Sequence, residues 1–397
     1  MHFLSPPLQF LDEFLTDVKL STINESTLSS ENMNNRINSI HYLRGIAALL
    51  VVCFHSKQFL NGVLGVKDLG NYLFLNGQFG VDLFFVISGF IIAFSTHSKE
   101  RSKISSFVTR RFFRIYPVFI VSLLICYLVV TPAREIDILS LVRSAFLIHT
   151  DYTLHGPFFG YSILYTAWTL TYEIYFYALF VVAMWISHRN RILISTSLII
   201  LPLIIIQLFY NERVSLSGSM SLNGTSLPFL NFVASPMMIE FIYGMLIYET
   251  LKRLRSDKYS GFILFMCVSF VFVCYFSNYM IGPGPLNYGT WGVLIIFSLI
   301  TYEQSNTLGQ SRILNALGDI SYSMYLMHVI VIYVMIYYPE HVPMYESTSG
   351  FSRFSYMVLA SIAASWLTFE YIEKPFMSIG KRLIKRGHNS LPSSNSL

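Results

Sequence analysis

Phe79-Gly80-Val81-Asp82-Leu83-Phe84-Phe85-Val86-Ile87-Ser88-Gly89-Phe90-Ile91-Ile92-Ala93-Phe94-Ser95-Thr96-His97 runs for nineteen residues with one formal charge. About twenty mostly apolar residues are what an α-helix needs to cross the hydrocarbon core of a bilayer. The same length and character recur on both sides of it. Comparable runs lie near 43–62, 115–131, 167–187, 192–210, 228–250, 260–278, 287–303, 318–338 and 354–373. The run at 287–303 is the most polar at its start, where Tyr288, Thr290 and Trp291 crowd together. Across all 397 residues, 54% are hydrophobic and 12% charged, against about 25% charged in an ordinary soluble domain. The expected fold is therefore all-α, a polytopic membrane helical bundle of about ten transmembrane helices.

The basic residues give this bundle a direction. With the N-terminus inside, 21 of the 27 Lys and Arg residues fall in inside segments. The six outside are Lys57, Lys67, Arg134, Arg143, Arg213 and Arg353. The positive-inside rule then makes both termini cytoplasmic. Three regions are expected: a polar cytoplasmic tail over 1–40, a membrane domain over 41–377, and a basic, Ser-rich tail over 378–397. Residues 10–20 have the pattern of a short amphipathic helix. No cleaved leader is expected, because sustained apolarity begins only near Ile46. No internal repeat is evident. Cys53, Cys126, Cys267 and Cys274 all fall in apolar runs and read as core or lipid-facing residues, not as disulfides or metal ligands.

Ionisable side chains at membrane depth are costly and mark function by default. Here they are His55, Asp82, Glu173, Glu240, Glu249 and His328, with Arg44 at a span entrance. Arg44 and His55 are eleven positions apart. That is about three turns plus 20°, so both point the same way, separated by about 16 Å along the axis. A guanidinium at the inner entrance suits phosphate, and an imidazole deeper in suits proton abstraction. Arg44 also reads as a topology anchor and His55 as a satisfied interior histidine. Asp82 and Glu173 each enter from the outer side, so they can share a depth with His55. Asp82 either orients that imidazole or caps its helix.

Arg110, Arg111 and Arg114 end an inner loop before Ile115-Tyr116-Pro117, as phosphate ligands or as anchors. Ser321, Tyr325 and His328 are spaced by four and three and form one polar stripe. The stripe faces a substrate path or forms a helix–helix seam. Glu373-Lys374-Pro375 reads as a helix stop.

Taken together, these motifs resemble integral-membrane acyltransferase family 3, which acylates bacterial surface polysaccharides, lipid-linked glycans and some antibiotics. The resemblance rests on Tyr42-Leu43-Arg44-Gly45 with the distant His55, on Gly80 through Phe90, and on Arg110 through Pro117. Trp168 through Glu173, Ser321 through His328, and Glu373-Lys374-Pro375 complete it, over about residues 38–377. It implies a multi-pass O-acyltransferase of the bacterial inner (cytoplasmic) membrane, standing alone without an appended hydrolase-like domain. It also implies an essential Arg44 and His55, and an acyl-CoA donor, acetyl-CoA foremost, as co-substrate from the cytoplasm. Arg44, Arg110, Arg111 and Arg114 would hold the CoA phosphates. Asp82 or Glu173 would fix the His55 tautomer, and His328, Tyr325 or Ser321 would meet the oxyanion or substrate. The expected acceptor is a hydroxyl of a cell-surface or lipid-linked glycan, with membrane lipids around it and neither metal nor nucleic acid needed. The competing class is a transporter using the same His, Asp and Glu as a proton or substrate site. Against it, paired broken helices and repeat symmetry are missing.

Overall fold

The computed structural model describes residues 37–97, 104–133, 136–160, 162–254 and 258–389. Most of the expected N-terminal tail, including residues 10–20, lies outside the described residues. So do Lys19, Arg36, Lys99, Arg101, Lys103, Arg134 and Arg255. Among the described residues there are helices and no strands.

All ten expected segments are helical. They are α1 (Asn38–Ser56), α2 (Phe79–Ser95), α3 (Ile104–Val130), α4 (Trp168–Ile186) and α5 (Arg191–Asn211). The second half comprises α6 (Met238–Leu251), α7 (Ser260–Ser277), α8 (Tyr288–Ser305), α9 (Arg312–Tyr337) and α10 (Gly350–Thr368). An eleventh helix, α11 (Lys374–Asn389), follows.

Eight of these, counted with the short helical turns that extend some of them, are long and apolar enough to cross a membrane. The other two, α8 and α10, are 18 and 19 residues long but less apolar, because their polar residues face protein. Tyr288 and Trp291 are fully buried, and α8 lies against α2 and α7. On α10 the buried stripe is Met357, Ser361, Ser365 and Thr368. Each hydroxyl of that stripe donates to its own helix one turn back, as Ser361 Oγ does to the Met357 carbonyl at 2.8 Å. Polar groups satisfied in this way are tolerated inside a bundle.

Glycines set the closest approaches. An added Cβ at Gly89 would sit 2.0 Å from the Phe241 carbonyl oxygen, and one at Gly244 would sit 2.0 Å from that of Val86. No side chain fits there, so α2 and α6 pack backbone to backbone. Gly45 and Gly318 do the same for α1 and α9. A Cβ at Gly45 would lie 2.7 Å from the Gly318 nitrogen, and one at Gly318 would lie 2.4 Å from the His41 ring. This crossing, near the N-terminal ends of both helices, brings the Arg44–His55 face of α1 onto α9.

Two expectations about helix ends are corrected. Arg110, Arg111 and Arg114 do not end a loop; they lie within α3, whose 27 residues include Pro117. A helix of that length spans about 40 Å, more than the roughly 30 Å apolar slab, so its first turns project at the basic surface. Nor does the chain stop at Pro375. A π-helical turn over Phe369–Glu373 joins α10 to α11. Pro375 directly follows that turn within one continuous helix, and the π-helical turn accommodates its missing N–H. The basic tail expected from 378 is thus helical through Asn389, and α11 packs along α3.

Outside the spans, the loop between α3 and α4 folds around His149. Its ring is buried against Tyr152, Phe159 and Phe232. Burial lowers its pKa from 6.5 to about 4. A histidine that resists protonation when folded favours the unfolded loop in acid. Its contribution is complete above pH 6.5 and is lost as pH falls from 6.5 toward 4. At about 1.4 kcal/mol per unit, the full loss is on the order of 3 kcal/mol. The protection factors of amides over residues 146–160, exchange corrected for its intrinsic pH dependence, are expected to fall between pH 6.5 and 4, and His149→Phe is expected to flatten that dependence.

Candidate active site

A cavity of about 210 Å³ opens among α1, α2, α3, α4 and α9. Its polar wall carries Arg44 from α1, Arg111 and Arg114 from α3, and Glu173 from α4. Its apolar wall includes Val81, Phe84, Phe85, Ile87 and Ile91 of α2 and Leu170 of α4. Arg111 and Arg114 are three positions apart on one helix face. Arg110, on the same turn, is not among the lining residues.

Each guanidinium is held in place. Arg44 Nη2 donates to Ser321 Oγ at 2.9 Å. Arg111 lies over the rings of Phe107 and Tyr177, 5.6 and 5.2 Å from their centroids. Arg114 lies 3.9 Å from Glu373 and donates to Met377 Sδ at 3.4 Å. Glu373 is the residue that sequence reasoning missed. It is completely buried and accepts from Ser323 Oγ at 2.7 Å. The π-helical turn produces this by rotating Glu373 inward beside Arg114, and such turns concentrate at functional sites. The signal for it in the sequence is Ser323, two positions after Ser321 on α9, which supplies the hydroxyl that Glu373 accepts from.

The two polar stripes face each other. Arg44 meets Ser321 toward the N-terminal ends of α1 and α9, and His55 meets His328 two to three turns further along. His328 Nδ1 lies 2.9 Å from the Met324 carbonyl. A carbonyl only accepts, so Nδ1 carries the proton and Nε2 is an acceptor. That Nε2 is 3.1 Å from His55 Nδ1, which is also 3.0 Å from the Val51 carbonyl. His55 Nδ1 therefore carries its proton and shares it, and His55 Nε2 is left as an unprotonated nitrogen on a half-buried ring. His328, itself inaccessible to solvent, sets this tautomer.

Asp82 and Glu173 do not approach His55. Asp82 faces Glu240 and accepts from the Gly284 nitrogen at 3.0 Å, tying the loop before α8 to α2. Glu173 accepts from Ser88 Oγ at 3.1 Å and from the Tyr177 hydroxyl, on the arginine side of the cavity. Their shared depth with His55 was inferred along each helix axis. The rotation of each helix sends the carboxyls elsewhere. The donors expected at an oxyanion are also engaged. The Tyr325 hydroxyl donates to the Thr166 carbonyl at 3.2 Å and accepts from Thr169 Oγ1 at 3.0 Å, and His328 Nδ1–H is held by Met324. Ser321 Oγ donates to the Gly318 carbonyl.

A positioning role for His328 predicts a specific pattern. His328→Phe is expected to lower kcat by about 10–100-fold, as loss of an orienting partner does for histidine ligands, with the donor KM unchanged. His328→Gln, whose amide oxygen also accepts, is expected to recover part of the loss. Equal activity in His328→Phe and wild type, measured across pH, would refute the role.

Comparison with known proteins identifies the family. Residues 37–370 match the model of the acyltransferase domain family designated Acyl_transf_3. The exopolysaccharide production protein ExoZ of Rhizobium meliloti (strain 1021) is 26% identical over 277 residues, 66% of this chain and 78% of that protein. The acyltransferase MdmB of Streptomyces mycarofaciens is 33% identical over 103 residues, 25% of this chain and 26% of that protein. No solved structure matches. With most of its length matched and its helices built to span a bilayer, the chain belongs to this acyltransferase family and is a multi-pass membrane O-acyltransferase.

Proposed function

We propose that the protein moves a short acyl group, acetyl foremost, from acyl-CoA on the cytoplasmic side to a hydroxyl of a cell-surface or lipid-linked glycan. Its setting is the bacterial inner membrane. The observation that carries this reading is the convergence of Arg44, Arg111 and Arg114 on one cavity, with the unprotonated His55 Nε2 three turns further along the helix that bears Arg44.

The cavity fits a phosphorylated thioester in two respects. Three guanidiniums supply forked donors for phosphate oxygens, and the α2 wall supplies apolar surface for the arm. Arg110, half-buried on the same turn, is outside the cavity lining and would meet a phosphate only beyond it. The donor supplies an acyl carbon activated by a thiol leaving group. His55 Nε2 removes the acceptor hydroxyl proton as the oxygen bonds to that carbon. His55 then returns the proton to the departing sulfur as the C–S bond breaks. His328 holds the imidazole in the tautomer that permits both transfers. An acceptor on the outer side is supported by the position of His55 near the outer end of α1. A glycan is supported by the relative that takes part in exopolysaccharide production.

Membranes containing the protein and radiolabelled acetyl-CoA are expected to place alkali-labile label in the glycan fraction. No label above membranes lacking the protein, with protein-dependent solute uptake in its place, would favour a transporter.

A further inference from the structure

The donor cavity and the catalytic histidine do not share a space. Arg44 lines the cavity, but His55, on the same helix, does not, and neither does His328. Tyr325 stands between them. Its ring is on the cavity wall, 5.8 Å from Phe84 and 6.1 Å from His328, centroid to centroid. His328 in turn contacts His55 at 5.1 Å. The Tyr325 hydroxyl is anchored across the gap to the start of α4, through the carbonyl of Thr166 in the turn before it and Thr169 Oγ1 within it.

Resting on the acyltransferase reading above, we propose that Tyr325 is the gate and end wall of the donor cavity. It keeps water on the His55 side away from the thioester and sets the length of acyl group accepted. Two neutral hydrogen bonds hold the closed position, an anchoring that a rotamer change can exchange for hydration. An aromatic wall at the end of a mostly apolar cavity discriminates by length, because each added methylene must find space that the ring occupies. Without the wall, water reaches the same carbonyl. Its oxygen bonds to the acyl carbon, the C–S bond breaks, and a carboxylic acid and the CoA thiol are released, with His55 carrying the proton between oxygen and sulfur.

The test uses membranes with matched amounts of wild type, Tyr325→Ala and Tyr325→Phe, given labelled acetyl-, butyryl- or hexanoyl-CoA. Label is divided between glycan and free acid. Wild type is expected to place mainly acetyl label in glycan. Tyr325→Ala is expected to raise the ratio of free acid to glycan label by about tenfold and to use hexanoyl-CoA. Tyr325→Phe keeps the ring and loses the anchor. It is expected to retain the length limit while releasing two- to fivefold more free acid, and it serves where the alanine variant does not accumulate. An active wild type with both variants unchanged in length profile and in that ratio overturns the gate alone. A wild type that labels neither fraction overturns the acyltransferase reading and the gate with it.

Discussion

His55→Ala is expected to lower acyl transfer by about 10²–10⁴-fold, the range for loss of a positioned general base. The donor KM is expected to stay within about twofold, because Arg44, Arg111 and Arg114 are untouched. The geometry behind this is the one-way chain of hydrogen bonds Met324–His328–His55. Every ring nitrogen in it has a role except His55 Nε2, so no other group in the chain can take the substrate proton. Truncation also leaves His328 Nε2 without its donor, at a cost of about 1–3 kcal/mol for a buried acceptor. His55→Asn, which keeps an amide donor near His328, separates the two effects. It is expected to regain stability in a thermal unfolding assay but not activity. Initial rates against acetyl-CoA with a fixed glycan preparation give both constants. Wild-type kcat in His55→Asn would end the general-base assignment.

Arg44→Ala is expected to act on the other constant, raising the donor KM by about 30-fold or more. That corresponds to the lower end of the 2–5 kcal/mol lost when one partner of a desolvated charge pair is removed. Arg44 is clamped by Ser321 at the cavity wall, so its side-chain entropy is already spent before the donor arrives. Lysine would keep the charge without the fork, so Arg44→Lys should fall between. The Arg44 charge also acts on Glu373, so removing it leaves Glu373 to Arg114. This should weaken the grip of Arg114 on a phosphate as well. Titration of acetyl-CoA at two ionic strengths checks the assignment. A donor KM equal to wild type would leave Arg44 as a topology anchor only.

The spans were legible because they follow from solvent transfer, and the expected direction rests on the same ground. A run of twenty apolar residues has lower free energy in lipid wherever it occurs, and lysine and arginine resist translocation whatever they later touch. The same logic made α8 and α10 the less evident spans. Trp291, Ser361 and Ser365 look costly until their burial against other helices is seen. The facing of Arg44 and His55 was also legible, since it needs only the period of one helix.

Which stripe meets which is a matter of packing between helices distant in sequence. Gly45 and Gly318 let α1 and α9 cross closely, and that crossing pairs Arg44 with Ser321 and His55 with His328, more than 270 residues away in each case. Asp82 and Glu173 show the reverse. Their depth on one axis was readable, but the azimuth of their helices turns Asp82 to Glu240 and Glu173 to Ser88 and Tyr177. Glu373 required a π-helical turn, which local sequence does not announce. Residue identity and spacing thus set which segments are apolar enough for the membrane and which side chains are costly there. The tautomer of His55, the three-arginine wall and the placement of Tyr325 across its end arise from close contacts between helices, and their energies depend on partners that no single segment contains.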